Sequence, residues 1–298
     1  MTTSLDLNKK YNIVVEIKGG FGNQIFQFMF ANYLKEQGFN VKVNTSFYKQ
    51  FKNPNTQIDT YRQLILSEKL FNFRKIGYFY LRFLNLNKKI SESKKIKKVF
   101  KNINNPIYVK LKDSNFSSKL LNKKFIHLDG YWQNIDYLIS EKEFLYNSLS
   151  KNEVLKNSLQ NPPNKGSTML IVRRGDYIDL DEDLSLDFYE ESINYLKSKI
   201  SNFHLEIFTD DVEWVKSKNI FSEAKNIYEP EEMPVKVINL FAKMINNQHF
   251  IIGNSTFSLM AAFLGEQESS TVIVADPWFR QSSYKNLTKN TWIKIKNV

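Results

Sequence analysis

Residues 170–177 read Leu-Ile-Val-Arg-Arg-Gly-Asp-Tyr, and the adjacent Arg173 and Arg174 are the first residues whose pairing suggests chemistry. Leu170, Ile171 and Val172 favour a buried strand, and Gly175 turns the chain after it. Arginine stays charged and presents a rigid donor fork that suits phosphate or carboxylate. Asp176 is placed to hold one guanidinium while the other reaches a ligand. A salt-bridge cluster internal to the fold is the alternative.

Two further segments carry the same kind of signal. Phe208-Thr209-Asp210-Asp211 ends a strand in two acids, which suit a metal pair, a nucleoside hydroxyl or a helix cap. Adjacent strand residues point to opposite faces, which opposes a shared metal. Gly253-Asn254-Ser255-Thr256-Phe257 ends another strand and opens a helix. Ser255 and Thr256 are good N-caps, and the helix start offers backbone N–H groups to a phosphate. His249 lies just before that strand, Phe250–Asn254, where a structural role is the default; His127 and His204 lack partners at metal-ligand spacing.

Near the start, Gly20-x-Gly22 followed by Asn23 and Gln24 marks a turn between a strand and a helix. A dinucleotide fingerprint is opposed by Ile25 at the third small position and by Asn44 where a ribose-binding acid belongs. What is left is a turn whose glycines let a ligand approach the backbone, or simply a tight connection.

The elements that must carry these residues follow from periodicity. Strand 11–17, a helix closed by Gly38 and strand 39–48 form one βαβ unit. Residues 125–134 read as strand then loop, and 150–168, with Pro162-Pro163 and Gly166, as a linker. Four strand–helix repeats then run to the end, the pattern of a doubly wound domain. The chain is thus expected to be α/β: an N-terminal domain over 1–155 with a basic insertion at about 50–124, and a C-terminal domain over 165–298.

The 298 residues include no cysteine, which excludes disulfides, thiolate nucleophiles and Cys-based metal sites. Neither a signal peptide nor an apolar run of membrane-spanning length is evident, so a cytoplasmic location is expected. Of the net +11, residues 74–124 carry +13, from fifteen Lys/Arg against Glu92 and Asp113. That segment is either a solvated face or a surface for anionic lipid on the inner membrane face. Nucleic acid is not expected, since no recognition motif accompanies the charge.

Together these residues suit a nucleotide–sugar: phosphates on arginine and helix ends, an acceptor near the glycine turn. The ordered segments GGFGNQIFQFMFANYL, DGYWQN, VRRGDY, SLDFY, FTDD, IIGNSTFSLMAAFLG and DPWF resemble bacterial α-1,2-fucosyltransferases of glycosyltransferase family 11. The resemblance implies a GT-B fold, two Rossmann-like domains facing across a cleft, with GDP-fucose as donor. It also implies inverting transfer without a metal or other cofactor, to the 2-hydroxyl of a galactose-type residue on a surface glycan such as an O-antigen, built free or on a lipid carrier. By motif position Arg173 holds the diphosphate, and Arg174 and Asp176 shape its loop. Asp210, Asp211, His249 and Asn254–Phe257 line the donor. Gly20, Gly22, Asn23 and Gln24 face the acceptor and reacting centre, and Tyr131 and Trp132 stack on a sugar. Two departures, Ile171 for a family histidine and Leu259-Met260 for a Trp-Trp pair, bear on donor choice. No motif supplies a general base; Glu16 and Asp129 are candidates. The competing readings are a transferase for another GDP-deoxysugar and a non-catalytic polyanion-binding protein.

Overall fold

The computed structural model describes residues 12–49, 63–76, 108–111, 125–230, 234–280 and 287–297. By contacts the chain divides into two compact units, one of Met1–Gly19 and Gln24–Gln133, the other of Gly20–Asn23 and Asn134–Val298.

The first unit is built on a parallel sheet of four described strands, β1 (Asn12–Glu16), β2 (Asn40–Asn44), β3 (Tyr108–Leu111) and β4 (Phe125–Leu128), in the order β2-β1-β4-β3. Helix α1 (Phe21–Glu36) links β1 to β2. Ile13 and Val15 of β1 are buried and pair with Ile126 and Leu128 of β4, and Ile17 just past the strand is buried too. The helix starts at Phe21, so the second glycine of the expected turn lies inside it. Most of the basic segment 74–124 lies outside the described residues; of the rest, Lys75 bridges to Val43.

The second unit opens with three helices, α2 (Ile135–Ser140), α3 (Lys142–Leu149) and α4 (Glu153–Gln160). The expected linker at 150–168 is therefore mostly regular structure, because Asn152 caps α4 through Leu155 N and β5 (Asn164–Val172) begins directly after the prolines. The division between units falls at Gln133/Asn134, earlier than the expected boundary. After β5 come α5 (Gly175–Asp179), α6 (Leu186–Lys199), β6 (His204–Thr209), α7 (Val212–Lys216), β7 (Ala224–Tyr228), α8 (Pro234–Ile245), β8 (Asn247–Ile252), α9 (Thr256–Gly265), β9 (Val272–Asp276) and β10 (Ile293–Lys296).

All six strands are parallel, in the order β7-β6-β5-β8-β9-β10. Taken in chain order that is 3-2-1-4-5-6, a doubly wound sheet whose winding reverses between β5 and β8. Near-continuous burial along β5, β6 and β8 is what a parallel sheet covered on both faces requires. Phe188, Tyr189, Ile193 and Leu196 of α6 pack on one face with Ile207 and Ile251.

Candidate active site

Parallel strands deliver their carboxyl ends to one edge, and the switch point of a doubly wound sheet opens there between the two central strands. Val172 pairs with Thr209 and Leu170 with Ile251, so Arg173, Asp210 and Gly253-Asn254 leave β5, β6 and β8 side by side. The structure thus gathers three of the sequence-predicted segments at one place in the second unit.

The two arginines are held differently. Arg174 is a fixed strut: Nε lies 3.1 Å from Asp211 Oδ2, Nη1 lies 3.1 Å from Asp183 Oδ2, and the guanidinium sits 4.2 Å over the Trp214 ring. Its backbone N–H donates to Asp210 Oδ1 at 2.8 Å. Arg173 is 29% exposed; Nη2 donates to Asp176 Oδ1 at 3.0 Å, and Nε lies 3.2 Å from Asp210 Oδ2 without hydrogen-bond alignment. Among the described residues nothing engages Arg173 Nη1. Asp210 and Asp211 are therefore spent on the arginine loop, and Asp211 also caps α7 by accepting from Trp214 N at 3.0 Å. A Cβ on Gly175 would stand 3.0 Å from Asp210 Oδ2, so this turn is tight against the acid that orders it.

The β8–α9 turn is tied to the same loop. Tyr177 OH donates to Asn254 O at 3.1 Å, and Asn254 Nδ2 donates to Glu182 O at 2.6 Å. Asn254 is buried, and its amide shapes the loop. Ser255 occupies the N-cap of α9 but makes no capping bond with its side chain, contrary to expectation. Helix α9 starts at Thr256, just past the carboxyl end of β8 at the switch point, where its first N–H groups and the helix dipole can stabilise an anion. Thr256 Oγ1 donates to Asn23 Oδ1 at 3.2 Å. Phe257 packs edge-on against Phe21 and tilted against Phe241.

Other predicted residues are placed away from this edge. His249 pairs with Thr168 in mid-sheet, five residues and about 16 Å back along the chain from Asn254 at the usual strand rise. It is buried and its Nδ1 accepts from Thr271 N at 3.1 Å; burial lowers its pKa, so it is a neutral structural side chain. Gly22 touches the second unit's own backbone: a Cβ there would lie 2.4 Å from Thr256 O. Gln24 is fully buried, donating to Gly19 O and Gln63 O and accepting from Ile65 N and Leu66 N. Trp132 is 4% exposed and stacked on Phe30 at 4.3 Å, an interior placement where a sugar-stacking surface was expected. Tyr131 is exposed, with Lys18 Nζ 5.1 Å from its ring centroid, and Gly20 is half-buried. Sequence reasoning missed Asp183, Trp214 and Tyr177 as supports of the arginine loop; Asp183 and Trp214 lie outside the conspicuous motifs and meet it only through the fold, and Tyr177 closes the arginine motif itself. Ile171, Leu259 and Met260 are all buried, and Ile171 Cγ2 lies 3.7 Å from where a Gly253 Cβ would be.

The chain is 28% identical to an α-1,2-colitosyltransferase of Escherichia coli, over 95% of this chain and 99% of that one. It is 27% identical to the O-antigen biosynthesis glycosyltransferase WbnK of Escherichia coli, over 94% and 99% respectively. Among solved structures it is similar to a glycosyl transferase family 9 protein from Veillonella parvula, with a TM-score of 0.47, 12% identity, and 98% and 88% of the two chains covered. The sequence model for Glycosyl transferase family 11 matches residues 12–296. A match from β1 through β10 leaves no doubt of descent, and the chain belongs to glycosyl transferase family 11.

Proposed function

We propose that this glycosyltransferase moves L-fucose from GDP-fucose, with inversion, to the 2-hydroxyl of a galactose-type residue on a surface glycan. The observation that carries the donor half is the switch point of the second unit, where Arg173 leaves β5 beside the start of α9 on one sheet edge. A departing nucleoside diphosphate builds negative charge as the sugar–oxygen bond breaks, and preorganised donors aimed at it lower the barrier. On this reading the diphosphate takes Arg173 Nη2 from Asp176, the more exposed of its two acids, while Asp210 keeps the guanidinium aimed. Arginine and the helix end supply the neutralisation, so no metal is required in the proposal. The α-1,2 linkage is supported by the activity named for one Escherichia coli relative, an α-1,2-colitosyltransferase. The other relative, named for O-antigen biosynthesis, favours an O-antigen unit as the glycan being built.

A second donor, another GDP-deoxysugar, is favoured by the buried apolar residues Ile171, Leu259 and Met260, which depart from the family pattern, and by the colitosyl transfer named for one relative. The two readings share a guanosine diphosphate leaving group and differ in the sugar. Assays of GDP-fucose, GDP-mannose and other GDP-deoxysugars in EDTA, against galactose-terminated acceptors, separate them by which donor releases GDP only when acceptor is added.

No helix among the described residues is long and apolar enough to cross a membrane. We propose that the basic segment 74–124 rests on anionic lipid while the enzyme works on a lipid-linked acceptor. Sedimentation with vesicles containing phosphatidylglycerol, lost at high salt, is the expected outcome.

A further inference from the structure

A groove of about 310 Å³ lies in the first unit at the start of β2, and the site described above uses none of its walls. Gly38, with φ 88°, ends α1, and Phe39 N donates to Leu34 O at 3.2 Å as the chain turns into β2. Residues 72–74 form the other side. Just past them the chain joins β2: Val43 N donates to Arg74 O and Ile76 N donates to Val43 O, each at 3.1 Å. Phe39 and Phe73, both buried, line the space between. Parallel strands place this groove at the amino edge of the sheet, opposite the edge where β1 runs into the Gly19-Gly20 turn.

Two independent features of the groove suit an anion. The first is charge: Lys35, Lys42 and Arg74 line it, and no acid does. Glu68, on the same stretch of chain as Arg74, is taken by Lys75 at 2.9 Å. Lys35 has a structural use, since it sits in the last turn of α1, where the helix dipole favours a cation, with Nζ 5.8 Å from the Phe73 ring centroid. Lys42, half-buried, and Arg74, exposed, pair with no acid among the described residues. Three cations around one concavity repel one another, and a bound anion relieves that cost. The second feature is backbone. Successive strand residues turn their N–H and C=O groups to opposite sides, so Val41 presents both groups where Val43 does, away from β1. Strand β2 is outermost among the described strands, and nothing among the described residues bonds to the Val41 N–H. A free N–H at a sheet edge, set among cations, is an anion-binding concavity.

We propose that this groove binds a phosphate ester, with phosphate oxygens on Lys42, Arg74 and the Val41 N–H and a neighbouring hydroxyl of the ligand donating to Val41 O. The ester is either a small soluble molecule or the head group of a lipid, and the chemistry of recognition is the same for both. The site is additional to sugar transfer, so its failure leaves the transferase reading intact.

The test has two arms on the full chain at physiological salt: calorimetry with sn-glycerol 3-phosphate, and sedimentation with phosphatidylglycerol vesicles. Lys42→Gln/Arg74→Gln removes two charges inside the groove, and Lys94→Gln/Lys95→Gln removes two from the basic run outside it. Saturable binding of the free ester, weakened about tenfold or more by the groove variant and no more than about threefold by the other, assigns a soluble phosphate ester. Silence with the free ester, but vesicle binding with the same contrast between variants, assigns a lipid head group. Each single variant, Lys42→Gln and Arg74→Gln, should give part of the loss, with the melting temperature unchanged. Vesicle binding that both double variants weaken equally, with no response to the free ester, reports diffuse charge and overturns the proposal. So does free-ester binding that the groove variant leaves intact, or no binding in either arm.

Discussion

Arg173 and Arg174 are neighbours with different work, and the difference sets what substitution should do. Arg174 has both its charge and its ring face occupied by Asp183, Asp211 and Trp214. Arg174→Ala leaves two part-buried carboxylates unpaired, so it should lower stability by about 1–3 kcal/mol, read as a drop in melting temperature. Arg173→Lys keeps a charge but loses the fork, so it should cost about 10²–10³-fold in donor turnover with little change in melting. His249 gives a pH effect whose sign follows from burial. Its folded pKa is lowered from 6.5, so the unfolded chain takes up the proton first. Stability is therefore complete above pH 6.5 and is lost as the pH falls below it, and His249→Gln should flatten that slope in urea titrations. At this scale the motif residues were legible because arginine, acid and glycine at strand ends have few structural uses. Gln24 and Trp132 were not: an amide that ties Gly19 to Ile65 and a ring stacked on Phe30 look, in sequence, like binding groups.

Between elements, glycine contacts fix how closely helices approach. A methyl on Gly22 meets the Thr256 carbonyl at 2.4 Å, and backbone cannot step aside. Gly22→Ala should therefore destabilise by about 1–3 kcal/mol or more and disturb the start of α9. Gly253→Ala meets only the tip of Leu184, at 2.6 Å to Cδ1, which can rotate; its cost should stay below about 1.5 kcal/mol. Parallel melting curves of the two variants check the contrast. The central strands were readable because their apolar runs are long. β7 (Ala-Lys-Asn-Ile-Tyr) and β10 (Ile-Lys-Ile-Lys) escaped notice because they are the sheet's two outer strands, short and interleaved with lysine. Helix α4 escaped because its residues are mostly polar and Pro162-Pro163 follows closely; its packing against α8, not its propensity, decides its fate.

Across the whole molecule, the described strands form one four-stranded and one six-stranded parallel sheet, the second wound 3-2-1-4-5-6 so that its arginine loop and the start of α9 share a switch point. That arrangement explains why motifs 80 residues apart in sequence act as one site, and why the two α/β units were visible in the order of elements while their boundary was not. Helices 135–160 carry no motif and join the second unit only through packing. The basic segment stays the least legible part, since lysine and asparagine favour no single structure and a charge run has several uses. The most direct test of the central claim is GDP release by wild type and Arg173→Ala, in EDTA, from GDP-fucose and other GDP-deoxysugars with a galactose-terminated acceptor. The account predicts acceptor-dependent turnover of one GDP-deoxysugar, reduced by about 10²-fold or more in the variant. Turnover that Arg173→Ala leaves unchanged, or that needs a divalent cation, would contradict it.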